Sequence, residues 1–274
     1  MIEQDISLEG TRTHLIEAGS PDSPPLLLLH DGAVGGAAQV TWGRCLPLLA
    51  EHFHVLAPDF VGFGQSDKVT FFDRSPYDAR ITQVTNLVES WGRDEPVHVV
   101  GSSFGGSVAL RLLDTMPIAL ASVTSIGGSG GPWKTPTMAE LGRWDGTRED
   151  LSRILRFLMN GEDAAFEGQL EERFRSATIP GHYRSLMSAA LPLPEALRIP
   201  LADEWPSQLE GCTVPTLLVA GSHDNLFEPE WPDRIADVLR DRRVVRTNSL
   251  HSPNLDQPEL TVSIISDFIR DVRP

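Results

Sequence analysis

The chain has 274 residues, 41% of them hydrophobic and 22% charged, with a formal net charge of −15. That length suits one large domain, or a domain with an inserted lobe, with room for a sizeable core. So large a surplus of acid is repelled by phosphate backbones and argues against nucleic acid as a partner. Cys45 and Cys212 lie far apart in sequence, as expected of free thiols in a reducing compartment. His52, His54 and His98 lack a third ligand at metal-like spacing, so neither metal nor cofactor is expected. The opening "MIEQDISLEG" has no apolar core of the signal-peptide kind. No run nears the ~18 apolar residues of a membrane span. The expectation is a cytoplasmic protein with no membrane partner; whether it forms a homo-oligomer is left open.

In chain order, "DISLEG" and "RTHLIEAG" read as a hairpin at a sheet edge. "PLLLLH" (25–30) is a strand with consecutive apolar positions, as strands covered on both faces show. "HVLAPD" (54–59) is a second strand of this kind. In "ARITQVTNLVESWG" (79–92), Ile81, Val84, Leu87, Val88 and Trp91 share one face at helical spacing. Then come strand 97–102, helix 105–116 and strand 121–128. From 132 to 209 the strand pattern lapses into amphipathic helices broken by Pro180, Pro192, Pro194 and Pro200. Strand 216–221, helix 231–241, strand 242–247 and helix 258–272 close the chain. Strands alternating with helices predict an α/β fold with a mainly parallel sheet. The division expected is a core of residues 1–131 and 210–274 with a helical cap, or lid, over 132–209.

The chemistry concentrates where strand 97–102 meets the next helix. "VVGSSFGG" contains Gly101-x-Ser103-x-Gly105, a G-x-S-x-G motif in the strand–turn–helix context that a nucleophile elbow requires. A serine at the tip of so sharp a turn needs residues without side chains two positions to either side. A glycine-rich packing turn is the alternative reading of the pentapeptide alone. A serine nucleophile also needs a base, and the base an orienting acid. Asp224, in "GSHDN" after one strand, and His251, in "SLHSPN" after the next, supply them in the chain order acid then histidine. The triad read from the sequence is Ser103, Asp224 and His251. The Phe104 amide opens the helix as one oxyanion donor. The glycine-rich "HDGAVGG" loop after strand 25–30 supplies a second, from Gly32 or Ala33.

At these residues the chain resembles the α/β-hydrolase superfamily over nearly its whole length. "APDFVGFGQSDK" (57–68) resembles that superfamily's strand-and-turn segment, and within the superfamily the chain is most similar to the carbon–carbon hydrolases of aromatic meta-cleavage pathways and their carboxylesterase relatives, most strongly over segment 148–187. The resemblance implies an eight-stranded sheet with helices on both faces and a cap inserted after strand 6. It also implies a cap arginine that binds the substrate's dienolate or carboxylate, and Arg173 in "EERFRS" resembles that position. Three residues depart from the family pattern. Asp31 stands in the oxyanion loop where glycine is usual, Ser102 precedes the nucleophile in place of asparagine, and Ser252 follows the histidine in place of tryptophan. Arg173, Asp31 and Ser102 are accordingly the candidate substrate-binding residues. The departures favour a serine hydrolase that cleaves an ester of a small organic molecule through an acyl-enzyme. The alternatives are C–C cleavage of a meta-cleavage dienoate and, in another class, a ligand receptor of the same fold.

Overall fold

The computed structural model describes residues 1–71, 74–131, 133–188 and 204–272. Its centre is an eight-stranded sheet in the order β1-β2-β4-β3-β5-β6-β7-β8. The strands are β1 Ile2–Leu8, β2 Thr11–Ala18, β3 Pro25–Leu29, β4 His54–Pro58, β5 Val97–Ser102, β6 Leu120–Ile126, β7 Thr216–Gly221 and β8 Arg242–Thr247. The β1–β2 hairpin and the β2–β4 pair are antiparallel, and every later pair is parallel. This is the α/β-hydrolase architecture that the sequence predicts.

Side chains alternate across a strand, so "LLLL" in β3 feeds two cores. Leu27 and Leu29 join Val99, Val108 and Leu112 on one face. Leu26 and Leu28 join Trp42, Leu46, Ile265 and Phe268 on the other. The first face is covered by α3 (Pro76–Trp91) and α4 (Phe104–Thr115). The second is covered by α1 (Ala38–Trp42), α2 (Leu46–Leu49) and the last helix, Pro258–Val272. Strand order reverses at β3, which lies between β4 and β5. The carboxyl ends of β3 and β5 are therefore neighbours, with Leu29 opposite Gly101. A crevice at such a switch point is where open α/β sheets bind ligands.

Between β6 and β7 the described residues include α5 (Arg148–Leu158), α6 (Phe166–Ala177) and α7 (His182–Ser188). They form no named strand there. Pro192, Pro194 and Pro200 lie outside the described residues. Two predicted spans come out shorter. β6 ends at Ile126, because Gly127 takes φ +59 and leaves the ladder. The helix expected over 231–241 is α8, Trp231–Ala236.

Candidate active site

Ser103 sits between β5 and α4 with φ 55 and ψ −115. A side-chain-bearing residue rarely adopts positive φ, and the surroundings hold it there. Its N–H donates to Ile126 O at 2.7 Å, and its carbonyl accepts the Ser107 N–H at 2.9 Å. The flanking glycines are obligatory. A Cβ on Gly101 would come 2.1 Å from Gly105 O, and one on Gly105 would come 2.3 Å from Leu29 O.

His251, fully buried, reaches Ser103 Oγ through Nε2 at 2.8 Å and Asp224 Oδ2 through Nδ1 at 2.8 Å. The second Asp224 oxygen accepts the Leu226 N–H at 2.8 Å, which fixes the carboxylate plane. The Phe227 ring stacks on the imidazole at 5.8 Å, and the left-handed Gly127 leaves no room for a Cβ beside it. The three residues selected by motif and chain order are thus hydrogen-bonded in series across 148 positions of sequence.

The two oxyanion candidates in the glycine loop part company. The Ala33 N–H donates to Asp31 Oδ1 at 3.0 Å and is thereby engaged. The Gly32 N–H has no acceptor among the described residues, and neither does that of Phe104. A Cβ on Gly32 would lie 2.8 Å from Phe104 Cβ, so the residues that carry these two amides adjoin.

Arg173, Asp31 and Ser102 lie behind the site rather than in it. Arg173, on α6, makes a two-pronged ion pair with Asp31, at 2.8 Å to Oδ2 and 3.1 Å to Oδ1. It also donates to Val34 O at 3.2 Å. Both side chains are essentially without solvent contact. Thr41 Oγ1 donates to the same carboxylate at 2.7 Å. Burial alone would raise the Asp31 pKa, but the Arg173 guanidinium and these hydrogen bonds hold it far below the usual carboxylate range. Ser102 donates to Asn254 Oδ1 at 3.1 Å, and Asn254 in turn donates to Thr41 O at 2.8 Å.

Two histidines complete this support. His30 Nδ1–H donates to Asp31 O at 2.6 Å, and Nε2 accepts the Phe60 N–H at 2.8 Å, which defines a neutral ring. His182 Nε2, on α7, accepts the Gly35 N–H at 2.9 Å.

Ser103 opens into a cavity of about 290 Å³. Gly32, Ala33, Phe104 and Phe227 line it from the core, and Met138 and Leu186 line it from the segment between β6 and β7. Arg80 of α3 and Lys134 line it as well, and the motif reading misses both. A signal for Arg80 exists, since it stands at i, i+4 and i+7 with Val84 and Leu87 on the buried helix face, where a charge is unusual. Lys134 carries none. Among the described residues no cluster of three His, Cys, Asp or Glu is set to hold a metal ion, and no helix is long and apolar enough to cross a membrane.

The family model described as "Alpha/beta hydrolase family" matches residues 26–264. The chain belongs to that family. This α/β hydrolase is 24% identical over 242 residues to 2-hydroxy-6-oxo-6-(2'-aminophenyl)hexa-2,4-dienoic acid hydrolase of Metapseudomonas resinovorans, covering 88% of this chain and 81% of the relative. It is also 24% identical over 253 residues to Lipase 3 of Moraxella sp. strain TA144, covering 89% and 76%. Among solved structures it superposes on 2-hydroxy-6-oxo-6-phenylhexa-2,4-dienoate hydrolase from Rhodococcus sp. strain RHA1 with TM-score 0.83, 25% identity and 98% of each chain covered.

Proposed function

We propose that this hydrolase cleaves an ester of a small organic acid through an acyl-enzyme on Ser103. The observation that carries the reading is the unbroken Ser103–His251–Asp224 hydrogen-bond series opening into a cavity. His251 Nε2 takes the Ser103 proton as Oγ attacks the carbonyl carbon. Asp224 holds Nδ1–H and stabilises the imidazolium. The Gly32 and Phe104 amides receive the developing oxyanion. The tetrahedral adduct collapses, His251 returns the proton to the leaving alkoxide, and the alcohol departs. Water, deprotonated by His251, repeats the attack and releases the acid with Ser103 restored. The helices between β6 and β7 act as the lid that keeps bulk water from this cycle.

A second reading is hydrolysis of a C–C bond in a meta-cleavage dienoate, favoured by the likeness to the two dienoate hydrolases. Against it, the arginine assigned by resemblance to the dienoate, Arg173, has its fork engaged by Asp31. The discriminating measurement is turnover of 4-nitrophenyl esters of graded chain length beside a dienoate. Ester turnover with a burst of nitrophenol, lost by about 10⁴–10⁶-fold in kcat in Ser103→Ala with the fold retained, is the expected result. Near wild-type turnover in that variant overturns the assignment of Ser103.

A further inference from the structure

The Ser103 cavity carries a charge that no acidic group among the described residues answers. Arg80 is 8% exposed and lines the cavity beside Phe104, with Cζ 6.0 Å from that ring's centroid. One of its donors is used, Nη2 to Val61 O at 2.7 Å. Its Nε is buried and has no hydrogen-bond partner among the described residues. No carboxylate among the described residues pairs with it, which is unusual in a chain with 38 acidic residues against 23 basic ones. The other buried arginine among the described residues, Arg173, has Asp31 as its counter-charge. Burial pushes the Arg80 pKa down to about 10, with no nearby acid to offset it, and the group stays charged at neutral pH. Lys134 adds a second cation at the same cavity, and none of its described lining residues is acidic. A desolvated guanidinium without a counter-ion is costly, and an anion entering the cavity removes that cost.

We infer that Arg80, aided by Lys134, anchors a second, non-reacting carboxylate of the substrate, so that the enzyme prefers half-esters of dicarboxylic acids over neutral esters. The inference rests on the ester-hydrolase reading of Ser103. The carboxylate at one end of the acyl chain meets the guanidinium, which offers fixed donors matched to its oxygens. The ester carbonyl at the other end meets Ser103. Water adds across the ester C–O bond, giving the dicarboxylic acid and the alcohol, and the anchored carboxylate is unchanged.

The test uses the full chain with mono-4-nitrophenyl esters of succinic, glutaric and adipic acid, each beside its neutral 4-nitrophenyl methyl diester. Expected for the wild type is a kcat/KM ratio of charged over neutral ester of about ten or more at one chain length, the scale of one charge-assisted contact. Arg80→Gln should collapse that ratio through KM, and Arg80→Lys should restore part of it. If the wild type shows no preference, or Arg80→Gln lowers both esters alike, the inference fails and Arg80 serves only to hold Val61. Should Arg80→Gln not fold, the wild-type ratio and competitive inhibition by the free dicarboxylate, absent with its dimethyl ester, decide instead. A fluorophosphonate label on Ser103 separates the two levels. Labelling and a nitrophenol burst without charge preference overturn the anchor alone. No labelling and no burst overturn the serine reading, and the anchor with it.

Discussion

Asp31 occupies the one position in the glycine loop where a charge would most disturb an oxyanion, and the structure turns that charge aside. Its two oxygens accept from Ala33 N–H, Thr41 Oγ1 and both prongs of Arg173. The carboxylate thus consumes one candidate oxyanion donor, Ala33, and leaves Gly32 free. It also supplies the counter-charge without which Arg173 would be a buried, unpaired cation. Removing one member of a buried ion pair is costly, because the partner's desolvation is then uncompensated. Asp31→Asn should lower unfolding free energy by about 3–5 kcal/mol, measured by urea melts. Asp31→Asn combined with Arg173→Met should recover a large part of that loss. If the double variant is as unstable as the sum of the singles, the two residues do not act as a pair.

At the scale of elements, α3 shows how a helix start places a cavity wall. Ser75 Oγ accepts the Asp78 N–H at 3.1 Å, and Asp78 Oδ2 accepts the Ser75 N–H at 3.2 Å, with Pro76 at the first helical position. This reciprocal cap fixes the turn that brings Pro76, Tyr77 and Arg80 to the cavity. Ser75→Ala should cost about 1 kcal/mol of stability and raise KM more than it lowers kcat. An unchanged KM would separate the cap from the cavity wall. Apolar periodicity starts this helix at Ala79, one turn late, because Ser75, Pro76 and Asp78 are cap residues chosen for the turn rather than for a hydrophobic stripe. The central strands β3, β4, β5 and β7 were legible because each is a short run buried on both faces, whereas the edge strands β1 and β8 carry exposed polar residues. The elbow was legible because steric necessity writes it as glycine, any, serine, any, glycine. The Asp31–Arg173 pair was not, since its members stand 142 positions apart and no local pattern joins them. Resemblance instead points Arg173 at the substrate, and the aspartate that claims it is one of the three residues that depart from the family pattern.

Across the whole molecule, the core and the segment between β6 and β7 meet through polar groups that must stay in one protonation state. Arg173 on α6 reaches Asp31, Gln169 Nε2 donates to Val40 O at 2.7 Å, and the Gly35 N–H donates to His182 Nε2. His182 has no solvent exposure, and burial, helped by Lys68, His30 and Arg173, lowers its pKa to about 4, with Asp31 opposing. The same burial lowers the pKa of His30. A histidine whose folded pKa lies below its unfolded value binds more protons when unfolded. Its effect on stability is therefore absent above the unfolded pKa, near 6.5, and grows as pH falls toward the folded value. Between about pH 7 and 5, His182 alone should remove roughly 2 kcal/mol of unfolding free energy. Asp256 and Glu172, whose pKa values burial raises, act in the opposite sense, so the measurement is a difference between proteins. His182→Gln keeps an acceptor for the Gly35 N–H but cannot titrate. Urea melts at the two pH values should show a shallower loss in this variant than in the wild type, by about 1–2 kcal/mol. Equal slopes would mean that His182 does not stay neutral in the folded protein, and the hydrogen bond from Gly35 to its ring would then have to be redrawn.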